Sequence, residues 1–163
     1  MDNGGMIAIS LQSFLTTGVL GPVHLGMTRD QVRQLLGVPD EEGGTSRKYR
    51  IPMILRYGDL EFLYRPGEDS LHNIYMKIPH EPSGGHAINL DPWLLTRGLS
   101  IEAAEGAFRE GRITFKRSTS PNDVTLTVLT TAAGVDVAFV NQLSEYADDE
   151  EVGLYYLSKC SGL

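Results

Sequence analysis

The chain has 163 residues, 41% of them hydrophobic and 21% charged, with fourteen Lys and Arg against twenty-one Asp and Glu. This composition excludes disorder, collagen-like repeats and low-complexity tails. The net charge of -7 argues against nonspecific binding to nucleic acid or to an anionic membrane, since both draw on a basic surface, and it favours basic partners.

A folded chain of this size buries roughly 68–70% of the surface its unfolded form exposes, so its core needs no metal, disulfide or cofactor, and none is expected. The lone Cys160 has no intrachain partner. A small secreted scaffold usually carries paired cysteines, so the expectation is a cytoplasmic protein.

The mildly apolar stretch from Met6 to Leu20 does not read as a signal peptide. Asp2 stands where a positive charge belongs, and Gln12, Ser13, Thr16 and Thr17 interrupt the run. No stretch approaches the about 18 apolar residues of a membrane span. Ile7, Leu11, Phe14 and Leu15 fall at i, i+4, i+7 and i+8, a spacing that predicts a short amphipathic helix ending before Gly18.

A second helix follows with both of its ends marked. Thr28 is an N-cap and Gln31 completes a capping box, Val32, Leu35 and Leu36 form the apolar stripe, and Gly37 with Pro39 stops the helix. The same plan returns 72 residues later, where Ser100 stands for Thr28, Ala104 for Val32 and Phe108 for Leu36. Strands come after each helix. From Ile54 to Tyr64 the alternation places Leu60, Phe62 and Tyr64 on one face and Tyr57, Asp59 and Glu61 on the other. Asp136 to Phe139 matches Asp59 to Phe62 at an offset of 77, and Leu154 to Ser158 matches Ile74 to Ile78 at an offset of 80. Three matches in one order, with an offset that only grows, point to a duplicated unit whose loops have lengthened.

Between the copies lies a run from Pro79 to His86 in which two prolines and two glycines sustain neither helix nor strand. Asp91 before Pro92 reads as an N-cap and first-turn pair, which predicts a short helix opening the second copy. The expected fold is therefore α+β: two tandem helix-helix-antiparallel-sheet units, residues 1–79 and 90–163, joined by a linker at 80–89. The helices of each unit would cover one sheet face and leave the other available.

The phrase from Gly26 to Asp40, with the later strand from Ile54 to Phe62, resembles the SmpA/OmlA (BamE) outer-membrane assembly lipoproteins. A duplicated version is similar to the β-lactamase inhibitory protein family, built from two such units. The resemblance implies a non-enzymatic fold that holds another protein against its sheet or loops. The chain lacks a lipoprotein cysteine after a signal peptide and lacks internal disulfides, so neither outer-membrane assembly nor β-lactamase inhibition is carried over.

Short catalytic signatures are missing: no phosphate-binding Gly-x-x-x-x-Gly-Lys-Ser/Thr, no Gly-x-Gly-x-x-Gly after a strand, no Gly-x-Ser-x-Gly and no His-Glu-x-x-His. His80, Glu81 and His86 offer metal-ligand chemistry, but a polar linker with solvated histidines is the stronger reading. Cys160, three residues from the end, is no catalytic nucleophile, and Glu105 with Arg109 reads as an i,i+4 pair on a solvated helix face. No catalytic or metal residues are expected.

Two acidic runs, Asp40-Glu41-Glu42 and Asp148-Asp149-Glu150-Glu151, either keep loops soluble or steer a basic partner. Tyr57, Tyr75 and Tyr155 fall in phase with Asp59, Glu61, Lys77 and Asp136, interleaving aromatic rings with charges as interfaces do. The functional expectation is a protein-binding module, an immunity or inhibitor protein that occludes a basic toxin or enzyme. A small enzyme or ligand-binding protein using the loop from His80 to His86, and a structural homodimer, are the alternatives.

Overall fold

In the computed structural model, which describes residues 5–140 and 152–162, these patterns become three helices and ten strands. The first half contains β1 (Ile7–Ser10), α1 (Leu11–Thr17), α2 (Arg29–Leu36), β2 (Glu41–Gly43), β3 (Ile54–Tyr57), β4 (Leu60–Tyr64) and β5 (Leu71–Lys77). The second contains β6 (Ile88–Asp91), α3 (Ile101–Glu110), β7 (Phe115–Thr119), β8 (Leu126–Thr131), β9 (Asp136–Val140) and β10 (Gly153–Cys160).

The expected pair of helix-helix-sheet units is overturned. The fold is β-rich, and the second half has one described helix rather than two. The reason sits at Asp91, whose carboxylate accepts from the Trp93 amide at 2.9 Å and so closes a side-chain turn instead of capping a helix. Trp93 then takes a left-handed φ of 57°, which no helix continues. Ile7 likewise leaves the predicted first helix. Ser10 caps α1, its hydroxyl accepting from the Ser13 amide at 3.2 Å, and Ile7 belongs to β1, which pairs in parallel with β6 through Ile7 opposite Ile88.

The remaining helix signals hold because they are local. In α2 the Thr28 hydroxyl accepts from the Gln31 amide at 3.1 Å, and the Gln31 side chain accepts from the Thr28 amide at 2.9 Å. Ser100 caps α3 in the same way, accepting from Ala103 at 3.2 Å. The residue before each cap is tied to the start of the last strand of its own half: Leu71 donates to the Met27 carbonyl at 2.8 Å and Leu154 to the Leu99 carbonyl at 2.9 Å.

The eight other strands form one sheet in the order β2-β3-β4-β5-β10-β9-β8-β7. The order is a palindrome about its centre. Each half contributes a four-strand meander, and the last strands of the two meanders, β5 and β10, pair antiparallel in the middle, with Tyr75 opposite Ser158. One face of this sheet is buried. Leu55, Leu60, Phe62, Ile74, Met76, Leu157, Val137, Phe139 and Leu129 join Phe14 and Leu15 of α1, Val32 and Leu36 of α2, and Ala104 and Phe108 of α3 in a single apolar core. Trp93, released from any helix, stacks on Phe108 with ring centroids 6.1 Å apart.

Candidate protein-binding face

Period-two alternation sends the partners of the core residues to the opposite side. There lie Arg56, Glu61 opposite Tyr75, Lys77 opposite Tyr156, Ala138 beside Tyr156, and Lys116 opposite Thr130. Lys77 and Lys116 are exposed and Tyr75, Tyr156, Arg56 and Glu61 half-buried, so among the described residues no helix seals this side. The tyrosines gather at its centre, on the β5–β10 seam. The Tyr75 and Tyr156 rings are 5.6 Å apart, and Tyr155 meets Tyr156 edge-on at 5.7 Å. The Lys77 ammonium stands 5.6 Å from the centroid of Tyr155, within cation–π range. Burial holds the Tyr75 and Tyr156 phenols above their ordinary range, so near neutral pH each stays an uncharged donor.

A bulge makes this cluster. Pairing between β10 and β9 shifts between Leu154 and Tyr156, so an extra residue enters β10 and two consecutive tyrosines meet on one side. Strict alternation selects Tyr155 and passes over Tyr156. The adjacent pair Tyr155-Tyr156, which breaks the alternating pattern, is the sequence signal for it.

Tyr57 corrects the expected face. It is 0% exposed and lies in the core. Gly58 and Asp59 form a two-residue turn, so Tyr57 pairs directly with Leu60 and shares its inner face; alternation counted straight through the turn puts Tyr57 on the wrong side. Asp59 sits in that turn, its carboxylate accepting from the Ser83 amide at 2.8 Å. Glu61 and Asp136 do lie on the open side. Glu61 pairs with Arg56, and Asp136 accepts from the Thr130 hydroxyl at 2.6 Å.

The first acidic run is occupied internally. Asp40 pairs with His86 and accepts from the Gly58 amide, Glu41 pairs with Arg56, and Glu42 pairs with Arg33. On the open side the described carboxylates of Glu41, Glu61 and Asp136 are equalled in number by the cations of Arg56, Lys77 and Lys116, so the described residues of this side carry no acidic excess. The second run, Asp148, Asp149, Glu150 and Glu151, lies outside the described residues.

The linker histidines do not converge on a metal. His86 turns to Asp40, while His80 and Glu81 are exposed, and among the described residues no group of three His, Cys, Asp or Glu side chains is placed to hold an ion. None of the described helices is long and apolar enough to cross a membrane.

The hydrogen bond from His86, with help from the Gly58 amide, depresses the Asp40 carboxyl below its usual value. A depressed carboxyl adds stability that is fully present above its unfolded pKa, about 3.9, and is lost as pH falls through the folded value. Asp40→Ala is therefore expected to be less stable than the parent in urea at pH 6, with the gap narrowing below about pH 4. A gap that stays constant down to pH 2.5 would remove Asp40 from the acid response.

No protein-family model, no curated protein and no solved structure matches this chain.

Proposed function

We propose that the chain is a non-catalytic protein-binding module that docks a basic folded protein on the side of its sheet that no described helix covers and blocks it sterically, as an inhibitor or immunity protein does. The observation that carries this reading is the cluster of Tyr75, Tyr155 and Tyr156 with Lys77 at the middle of a surface whose described charges balance and which no described helix covers. Tyrosine supplies large contact area at low entropic cost, and a central aromatic group within a polar rim is the anatomy of an interface hot spot. The net charge of -7 favours a basic partner through its effect on association rate. The resemblance from Gly26 to Phe62 to families that hold other proteins supports the same reading by analogy.

Co-expression with the product of the adjacent gene, followed by titration of the purified proteins, tests it. Tyr155→Ala with Lys77→Ala removes exposed groups only, and is expected to weaken the complex at least about tenfold. Glu102→Ala, on the exposed side of α3, should leave it unchanged. The proposal fails if no complex forms, if the double variant binds as tightly as the parent, or if light scattering shows a homodimer in which this side is already covered.

A further inference from the structure

A second feature is independent of the tyrosine face and shares none of its residues. The N-terminal end of α2, the β2–β3 connection and the β4–β5 connection enclose a cavity of about 380 Å³. In a chain with a net charge of -7, this recess is lined by Arg29, Arg33, Lys48 and Arg50, with Asp30, Glu68 and Asp69 as its acidic groups and Ile51, Met53 and Tyr49 as its apolar ones.

These charges are unevenly engaged. Asp69 is committed to Arg29, accepting from its backbone amide at 2.9 Å and from its guanidinium at 3.0 Å. Asp30 lies 3.5 Å from Arg33, which also holds Glu42 at 2.8 Å. Neither Lys48 nor Arg50 forms an ion pair with a described residue.

Arg29 is the fixed element. Its side chain is only 7% exposed. Nε donates to the Pro52 carbonyl at 2.7 Å and Nη1 to the Glu68 carbonyl at 2.7 Å, and the guanidinium lies 4.3 Å from the centroid of Tyr64. The guanidinium thus fastens all three walls together. Its Nη2 donates to no described residue.

We infer that this cavity binds a small organic anion: a carboxylate or phosphate monoester carried on an aromatic or aliphatic body. The anionic head meets Nη2 of Arg29, which donates to no described residue, together with Lys48 and Arg50, which pair with no described carboxylate, as charge-assisted hydrogen bonds favour. The body lies on Ile51 and Met53, and the volume falls in the range of pockets for compact ligands.

Backbone amide shifts of the intact protein, titrated separately with phenyl phosphate, benzoate, inorganic phosphate and benzyl alcohol, test the inference. At least one of the two aryl anions should saturate and move the amides of residues 29–33, 48–51 and 67–69. Inorganic phosphate, lacking the body, and benzyl alcohol, lacking the charge, should each bind at least about tenfold more weakly. Which aryl anion binds more tightly identifies the head group. Lys48→Ala with Arg50→Ala, both exposed and outside the core, should weaken binding at least about tenfold while the unfolding midpoint in urea stays put. The inference is overturned if neither aryl anion saturates, if benzyl alcohol or inorganic phosphate binds as well as the best aryl anion, or if the double variant binds unchanged. None of these results depends on the protein partner of the tyrosine face.

Discussion

Tyr57→Ala is expected to destabilise the protein by about 3–5 kcal/mol, the range for truncating a fully buried aromatic side chain. Tyr57 is inaccessible to solvent, its ring meets Phe62 edge-on with centroids 5.6 Å apart, and its hydroxyl donates to the Gly37 carbonyl at 2.7 Å. That bond joins β3 to the residue that ends α2, so the side chain fastens sheet to helix as well as filling space. Burial pushes its phenol up to about 12, which keeps it a hydrogen-bond donor across the physiological range. Tyr57→Phe keeps the ring and loses only the bond, for an expected cost of about 1 kcal/mol plus the penalty for an unpaired carbonyl. Tyr155→Ala, by contrast, removes a side chain 38% exposed and should change stability by no more than about 0.5 kcal/mol. Urea unfolding of the three variants decides the matter. A harmless Tyr57→Ala beside a severe Tyr155→Ala would mean that the two sheet faces have been assigned the wrong way round.

This contrast marks where the sequence is legible. Features encoded within one turn of chain are readable: the Thr28–Gln31 box, the Ser100 cap, Gly18 closing α1, and the alternation of Leu60, Phe62 and Tyr64. Phase fails wherever the backbone gains or loses a step without changing residue type. The Gly58-Asp59 turn resets alternation and carries Tyr57 inward, while the bulge at Tyr155 adds a residue and carries Tyr156 outward. At Asp91 the same side chain suits a helix cap or a side-chain turn; in the fold it closes the turn, and Trp93 packs on Phe108, a contact that local sequence does not signal. Pairing between distant segments is not written locally at all. Ile7 opposite Ile88 and Ile74 opposite Lys159 depend on which edges meet once both meanders exist. The growing offset signals a repeated order of strands, but not that β5 and β10 pair and join the two meanders into one sheet. The acidic run at Asp40 illustrates the same limit in electrostatics: three carboxylates that read as a free loop charge each find a cation or amide supplied from elsewhere in the fold. The cavity beside α2 is not legible in the sequence for the complementary reason. Arg29 and Lys48-Tyr49-Arg50 are ordinary surface residues in sequence, and only the fold sets the two groups on one recess.

Gly58→Ala is expected to cost about 2–4 kcal/mol, although Gly58 lies in a surface turn. Gly58 has φ +61°, and a Cβ there would stand 2.3 Å from the Gly85 amide nitrogen and 2.4 Å from the Ser83 carbonyl oxygen. Both are backbone atoms, which cannot swing aside as the end of a side chain can. The crowding exists because the linker is seated on this turn: the Asp59 amide donates to the Ser83 carbonyl at 2.8 Å, and the Ser83 amide donates back to the Asp59 carboxylate at 2.8 Å. Alanine must push the linker off, breaking this reciprocal pair. The disturbance then reaches β6, because Ala87, at the end of the linker, accepts from the Ile7 amide at 2.9 Å at the start of the β1–β6 pair. Gly67→Ala is the matched control. Gly67 has a similar φ of +76° but nothing within 4 Å of its Cβ position, so it carries the left-handed penalty alone, about 1–2 kcal/mol. The difference between the two alanine variants measures the seating of the linker. Amide exchange at residues 83, 89 and 91 should accelerate in Gly58→Ala and not in Gly67→Ala, while amides in α2 keep their protection relative to the global stability of each variant. Equal costs with equal exchange patterns would show that the linker rests on the turn without being held by it.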